Sequence, residues 1–117
     1  MKDGVTPGEL TIDAVQVDGH IVVHVIGELD VHTTDVFDDA IERALRHRCD
    51  LVIDLQRVSF IGSTGLGAIV RAHRRLLPDG AAVRVIIGRP IQRRIFEATG
   101  LDRILAISSA DGDGQHQ

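Results

Sequence analysis

Tryptophan and tyrosine are absent, and phenylalanine occurs only as Phe37, Phe60 and Phe96. A protein that stacks the bases of single-stranded nucleic acid needs more rings than that. Cysteine occurs once, at Cys49, which excludes a disulfide framework and a cysteine-ligated zinc site. No apolar run approaches the roughly 20 residues of a membrane span, so no direct membrane insertion is expected. Met1 to Gly8 has no apolar stretch of the signal-peptide kind, and a cytoplasmic location is expected. Lysine is nearly missing, since Lys2 is the one lysine among 13 basic residues. Against 17 acidic residues these leave a net charge of −4, which disfavours nucleic acid and anionic membranes as partners.

What remains suits one compact domain. The chain has 117 residues, 44% of them hydrophobic, enough for a single core under a folded surface of roughly 6,200 Å². Residues 1–8 carry Gly4, Pro7 and Gly8, and residues 110–117 end in a polar tract. Both are expected to be loose, which leaves 9–109 as the folded unit.

Within that unit Leu10 to Val17 reads as a strand, and Asp18-Gly19 is a two-residue hairpin turn. The run His20 to Ile26 predicts a strand buried on both faces. Val36, Phe37, Ala40, Ile41, Ala44 and Leu45 recur at helical spacing, with Thr33 or Thr34 as the cap. Leu51 to Leu55 reads as a central strand. Val58 to Ser63 leads into a helix whose apolar stripe is Leu66, Ile69, Val70, His73 and Leu77. His73 is expected to be a satisfied residue at the core margin. Ala82 to Ile87 is a strand, and Pro90 opens a helix with Ile91, Ile95 and Phe96 as its apolar face and Gly100 as its end. A short final strand lies within Leu101 to Ile107. The order β-β-α-β-α-β-α-β, with right-handed crossovers, predicts an α/β fold: a mixed sheet with an opening hairpin, then parallel βαβ units, and helices packed on it.

The informative segment is Phe60-Ile61-Gly62-Ser63-Thr64-Gly65-Leu66-Gly67, at a strand-to-helix junction. Ser63 can be a simple helix cap there, or the free amides and the helix dipole can receive a phosphate. A phosphate-binding loop of the GxxxxGK[ST] kind needs a lysine that is missing, and the glycine spacing fails GxGxxG. A hydrolase elbow, GxSxG, needs glycine where Ile61 stands. Asp30 and His32 are too close in sequence to build a triad with Ser63, so enzymatic activity is not expected. His20 and His24 share a strand face, but no further ligand presents itself, so no metal and no cofactor are expected.

Gly27-Glu28-Leu29-Asp30-Val31-His32-Thr33, Leu51 to Leu55, Val58-Ser59-Phe60, Ser63-Thr64-Gly65-Leu66-Gly67 and Phe96 to Leu101 together resemble a STAS domain from about Glu9 to Ile107. Within that family they are most similar to the bacterial anti-sigma factor antagonists. The resemblance implies partner switching. The unphosphorylated antagonist binds an anti-sigma factor, usually a GHKL-type serine kinase, and so releases the sigma factor. Phosphorylation by that kinase switches it off, and a metal-dependent serine phosphatase reverses the step. Carried over, the phosphorylated residue is Ser63, with Thr64 as the second candidate. Asp30, His32, Gly62, Ser63, Thr64, Gly65 and Leu66 would form the partner-binding surface. The family's DSSGL-like motif opens with aspartate, where this chain has Gly62. The resemblance therefore also allows a non-phosphorylated STAS accessory module of a transport or stress-sensing complex.

Overall fold

The computed structural model describes residues 9–109. The expected loose segments 1–8 and 110–117 lie outside them. Five strands form one sheet in the order β1 (Leu10–Val17), β2 (His20–Leu29), β3 (Asp50–Ile61), β4 (Val83–Ile87) and β5 (Ala106–Ser109). β1 runs antiparallel to β2, and every later pairing is parallel. The hairpin turns at Asp18 and Gly19, both with positive φ (44° and 87°), the geometry of a primed turn.

Helix α1 (Thr34–Leu45) crosses from β2 to β3, α2 (Ser63–Leu76) from β3 to β4, and α3 (Pro90–Ala98) from β4 towards β5. Two 3₁₀ turns, Leu77–Asp79 and Leu101–Arg103, follow α2 and α3. The mixed sheet with an opening hairpin is as the sequence predicts.

One sheet face carries the core. Ile21, Val23 and Val25 on β2, Leu51, Ile53 and Leu55 on β3, and Val83, Val85 and Ile87 on β4 are buried together with Phe37, Ile41, Ile69, Leu76 and Phe96 of the helices. Burying this set is the main source of stability, at about 25 cal/mol per Å² of apolar surface. The opposite face of β2 is only half covered, with Val22, His24 and Ile26 partly exposed, so the expected burial on both faces is corrected. The helices cover one side only.

Three further expectations change. β3 does not stop at Leu55 but continues to Ile61, through a register shift against β2 after Asp54. The buried stripe of α2 is Gly65, Ala68, Ile69, Ala72 and Leu76, while Leu66, Val70 and His73 are half-buried and Leu77 is exposed. Small residues let α2 approach its neighbours closely; of the large ones Ile69 and Leu76 stay inward, while Leu66, Val70 and Leu77 are less buried. His73 is not satisfied, because its Nδ1 is buried without a hydrogen-bond partner.

On α3, Phe96 is fully buried, but Ile91 is exposed and Gln92 takes the inward position. Gln92 Nε2 donates to the carbonyls of Leu55 (2.9 Å) and Val58 (3.0 Å), and its Oε1 accepts from Gly88 N–H (2.8 Å). One side chain thus satisfies two carbonyls in the irregular stretch of β3 and the N–H that follows β4.

Candidate functional site

The parallel crossovers bring the starts of α1 and α2 together at the C-terminal end of the sheet. Gly62 is the residue before α2, with extended backbone (φ −99°, ψ −179°), and Ser63 is the first helical residue. Ser63 is therefore not the cap, and the cap position is held by a residue without a side chain. The first helical hydrogen bond runs from Leu66 N–H to the Gly62 carbonyl at 3.1 Å. The amides of Ser63, Thr64 and Gly65 precede it, and the positive end of the helix dipole lies there. Gly62 itself is anchored through its N–H to the Leu29 carbonyl at 2.8 Å.

The two hydroxyls of the motif have different surroundings. Both residues are exposed. The Thr64 hydroxyl lies 2.9 Å from that of Thr34, whose oxygen also lies 2.6 Å from the Asp30 carbonyl. A carbonyl can only accept, so the single Thr34 proton goes to Asp30 and Thr64 donates to Thr34. The Ser63 hydroxyl makes no hydrogen bond among the described residues. It is the unbonded hydroxyl of the pair.

Asp30 is close by, but its carboxylate serves its own loop. Its Oδ1 accepts from the N–H groups of His32 (2.9 Å) and Thr33 (3.2 Å) at the start of α1. Thr33, expected as a side-chain cap, instead sends its hydroxyl to the Glu28 carbonyl at 2.7 Å and accepts from Asp30 N–H. Thr33 is buried, so the loop from Glu28 to Thr34 is held firmly beside α2. His32 is exposed on that loop.

Gly65 is buried against Leu29, and a β-carbon there would lie 2.6 Å from Leu29 Cγ. Its role is close packing of α2 on the end of β2. Leu66 is half-buried against the core. The seven residues singled out lie in the loop before α1 and at the start of α2, but only His32, Ser63 and Thr64 are exposed; Asp30, Gly62 and Leu66 are half-buried and Gly65 is buried.

Two neighbours were missed by the sequence reading. In sequence Thr34 reads only as a cap, and its link to Thr64 spans thirty residues, beyond any local pattern. Phe60 lies within the motif, and no sequence pattern marks its exposure. Its ring stands over Gly62, where a β-carbon would lie 3.3 Å from Cε2, and the residue is 54% exposed. Val31, beside Asp30, is 69% exposed. A hollow of about 180 Å³ adjoins Phe60, lined by Val58, Ile61, Ile91 and Ile95 among others. A wider cleft of about 460 Å³ lies between β1 and α1, and none of its lining residues belongs to the loop before α1 or to the start of α2.

Among the described residues no group of three or more histidine, cysteine, aspartate or glutamate side chains could hold a metal ion. No helix there is long and apolar enough to cross a membrane. His24, on the open sheet face, is bonded through Nδ1 to Asp54 Oδ2 at 2.8 Å.

Comparison with known proteins places these features in a family. The model of the STAS domain matches residues 11–113. An anti-sigma-B factor antagonist of Bacillus subtilis (strain 168) is 30% identical over 105 residues, covering 90% of this chain and 96% of the relative. Its counterpart from Listeria monocytogenes is 35% identical over 96 residues, covering 80% and 83%. The crystal structure of an anti-sigma factor antagonist from Mycobacterium paratuberculosis is similar with a TM-score of 0.82, at 31% identity and 89% coverage of both chains. With the family model matched over nearly all of the described residues, and with relatives of this identity and coverage, the chain belongs to the STAS domain family.

Proposed function

We propose that the protein is an anti-sigma factor antagonist: its folded unit, residues 9–109, binds an anti-sigma factor of the serine-kinase type and releases the sigma factor held by it. The relatives that carry that name support this reading, and the single observation that carries it is Ser63. A free, exposed hydroxyl sits at the first turn of a helix, within an exposed rim that includes Val31, His32, Phe60 and Thr64. Binding, rather than catalysis, is the activity; Ser63 is a substrate residue, and its hydroxyl is bonded to no base among the described residues.

In the proposed switch, Ser63 Oγ attacks the γ-phosphorus of ATP held by the kinase. The hydroxyl proton passes to the kinase, and ADP leaves. A metal-dependent serine phosphatase hydrolyses the ester again, and the whole cycle is cytoplasmic. The added charge of about −1.5 to −2 is tolerated by the helix N-terminus but must be desolvated in a docked interface beside Asp30 and Glu28. A penalty of about 3 kcal/mol weakens binding roughly a hundredfold. A typical interface takes about 800 Å² from each partner, near an eighth of the 6785 Å² exposed here.

One observation favours a second reading. The cap position before Ser63 is Gly62, which offers a kinase no carboxylate. A STAS accessory module of a transport or stress-sensing complex would need none. Affinity capture from native extract, with identification by mass spectrometry, separates the two. Recovery of an ATP-binding anti-sigma kinase that a Ser63→Glu bait fails to recover supports the first. Recovery of membrane-transport or stress-complex subunits with equal yield by both baits overturns it.

A further inference from the structure

We propose that Arg71 is an intramolecular receptor for a phosphoryl group on Ser63, exchanging its ion pair with Asp38 for one with the phosphate; this rests on the reading of Ser63 given above. Ser63, Gly67 and Arg71 recur every fourth residue along α2 and so form one ridge on its surface. Helical side chains lean towards the N-terminus, which aims Arg71 at Ser63. The contact geometry bears this out, since Arg71 Nη1 lies 3.5 Å from where a Gly67 β-carbon would stand. The guanidinium is thus already laid back over the turn that separates it from Ser63. Gly67 puts no side chain in the way.

The distances close. Gly67 to Ser63 is one turn, a rise of about 6 Å. Phosphoryl oxygens stand about 3 Å beyond the serine oxygen, and a charge-assisted hydrogen bond spans about 2.8 Å more. Ser63 and Arg71 are eight residues apart, a rise of about 12 Å, so Arg71 must leave Asp38 and extend along the helix while the phosphoserine side chain turns back towards it.

Its present partner holds it loosely. Arg71 Nη2 lies 3.3 Å from Asp38 Oδ1, long for a charge-assisted bond, and the side chains are 60% and 39% exposed. A phosphate monoester carries more charge than a carboxylate and offers three acceptor oxygens in the geometry that a guanidinium fork fits. The exchange would fix the phosphate along α2 and leave Asp38 unpaired on α1. Phosphorylation would then change the surface charge at two places, at Ser63 and on α1. Arg75, bonded to Glu42 one turn further on, is out of reach and serves as an internal control.

The test installs phosphoserine at position 63 during translation, so that no kinase is required, and follows its second ionisation by ³¹P NMR. With Arg71 present the phosphate should titrate lower than in Arg71→Gln by at least about half a pH unit, because a nearby cation favours the dianion. Arg75→Gln should leave it in place. An unchanged titration in Arg71→Gln, or an equal rise in Arg75→Gln, would overturn the proposal. If instead a kinase never modifies Ser63, the regulatory reading fails while this measurement stands unaffected.

Discussion

Thr34 and Thr64 meet through their hydroxyls at 2.9 Å, which ties the first turn of α1 to the first turn of α2. The contact continues to the Asp30 carbonyl, so two helix starts and one loop share a short chain of hydrogen bonds. Thr64 gives its proton to this chain, and Ser63 stays outside it. The two adjacent hydroxyls thereby differ: Thr64 is engaged within the fold, and Ser63 is unbonded among the described residues.

The first prediction concerns that chain. Thr34→Val and Thr64→Val each remove one hydroxyl and should each destabilise the fold by about 0.5–1.5 kcal/mol. The double variant should cost less than the sum, because both side chains serve one bond. Urea unfolding of the four proteins measures this. Strict additivity would show that the two hydroxyls are independent.

Gly62→Asp should fold and gain stability. The backbone at Gly62 (φ −99°) suits any residue, and aspartate is a favoured cap that adds a negative charge to a helix start. The new β-carbon would lie 3.3 Å from Phe60 Cε2, and that half-exposed ring can shift by the few tenths of an ångström required. The expected gain is about 0.5 kcal/mol, read as a raised unfolding midpoint, together with faster phosphate incorporation by the cognate kinase. A loss of stability would mean that Phe60 cannot move.

Two glycines of the same helix should respond in opposite directions. Gly65→Ala drives a methyl group to 2.6 Å from Leu29 Cγ, in a side chain that is fully buried and cannot give way. It should destabilise by about 1–3 kcal/mol. Gly67→Ala meets only the end of Arg71 at 3.5 Å and should stabilise by about 0.5–1 kcal/mol through helix propensity. Thermal unfolding midpoints should therefore fall for the first and rise for the second. Matching shifts would contradict the assigned packing.

Gln92→Leu should cost about 2–4 kcal/mol, since it leaves buried backbone groups of Leu55, Val58 and Gly88 unpaired. The residue is also a measure of what a single sequence conveys. The alternation of β1, the Asp18-Gly19 turn and the helical period from Val36 to Leu45 are local, and each yields its element directly. β3 past Leu55 is irregular, its register slips against β2, and its support comes from a glutamine more than thirty residues away. No period reports such a contact. The α2 stripe was misplaced for a related reason: Gly65, Ala68 and Ala72 are chosen for closeness rather than bulk, and hydrophobic size is what the reading weighs. At the rim, Ser63 and Gly62 were visible as a motif. The free state of one hydroxyl and the engagement of the other emerge only when α1 and α2 stand side by side.

In the proposed switch, charge on Ser63 governs docking of an anti-sigma factor. Isothermal titration calorimetry of that partner against wild type, Ser63→Ala and the phosphoserine-63 protein tests it most directly. Removing the hydroxyl should change affinity less than about twofold, a small fraction of 1.4 kcal/mol, whereas the phosphate should weaken binding at least tenfold. Equal affinity for the phosphorylated and unphosphorylated proteins would contradict the account.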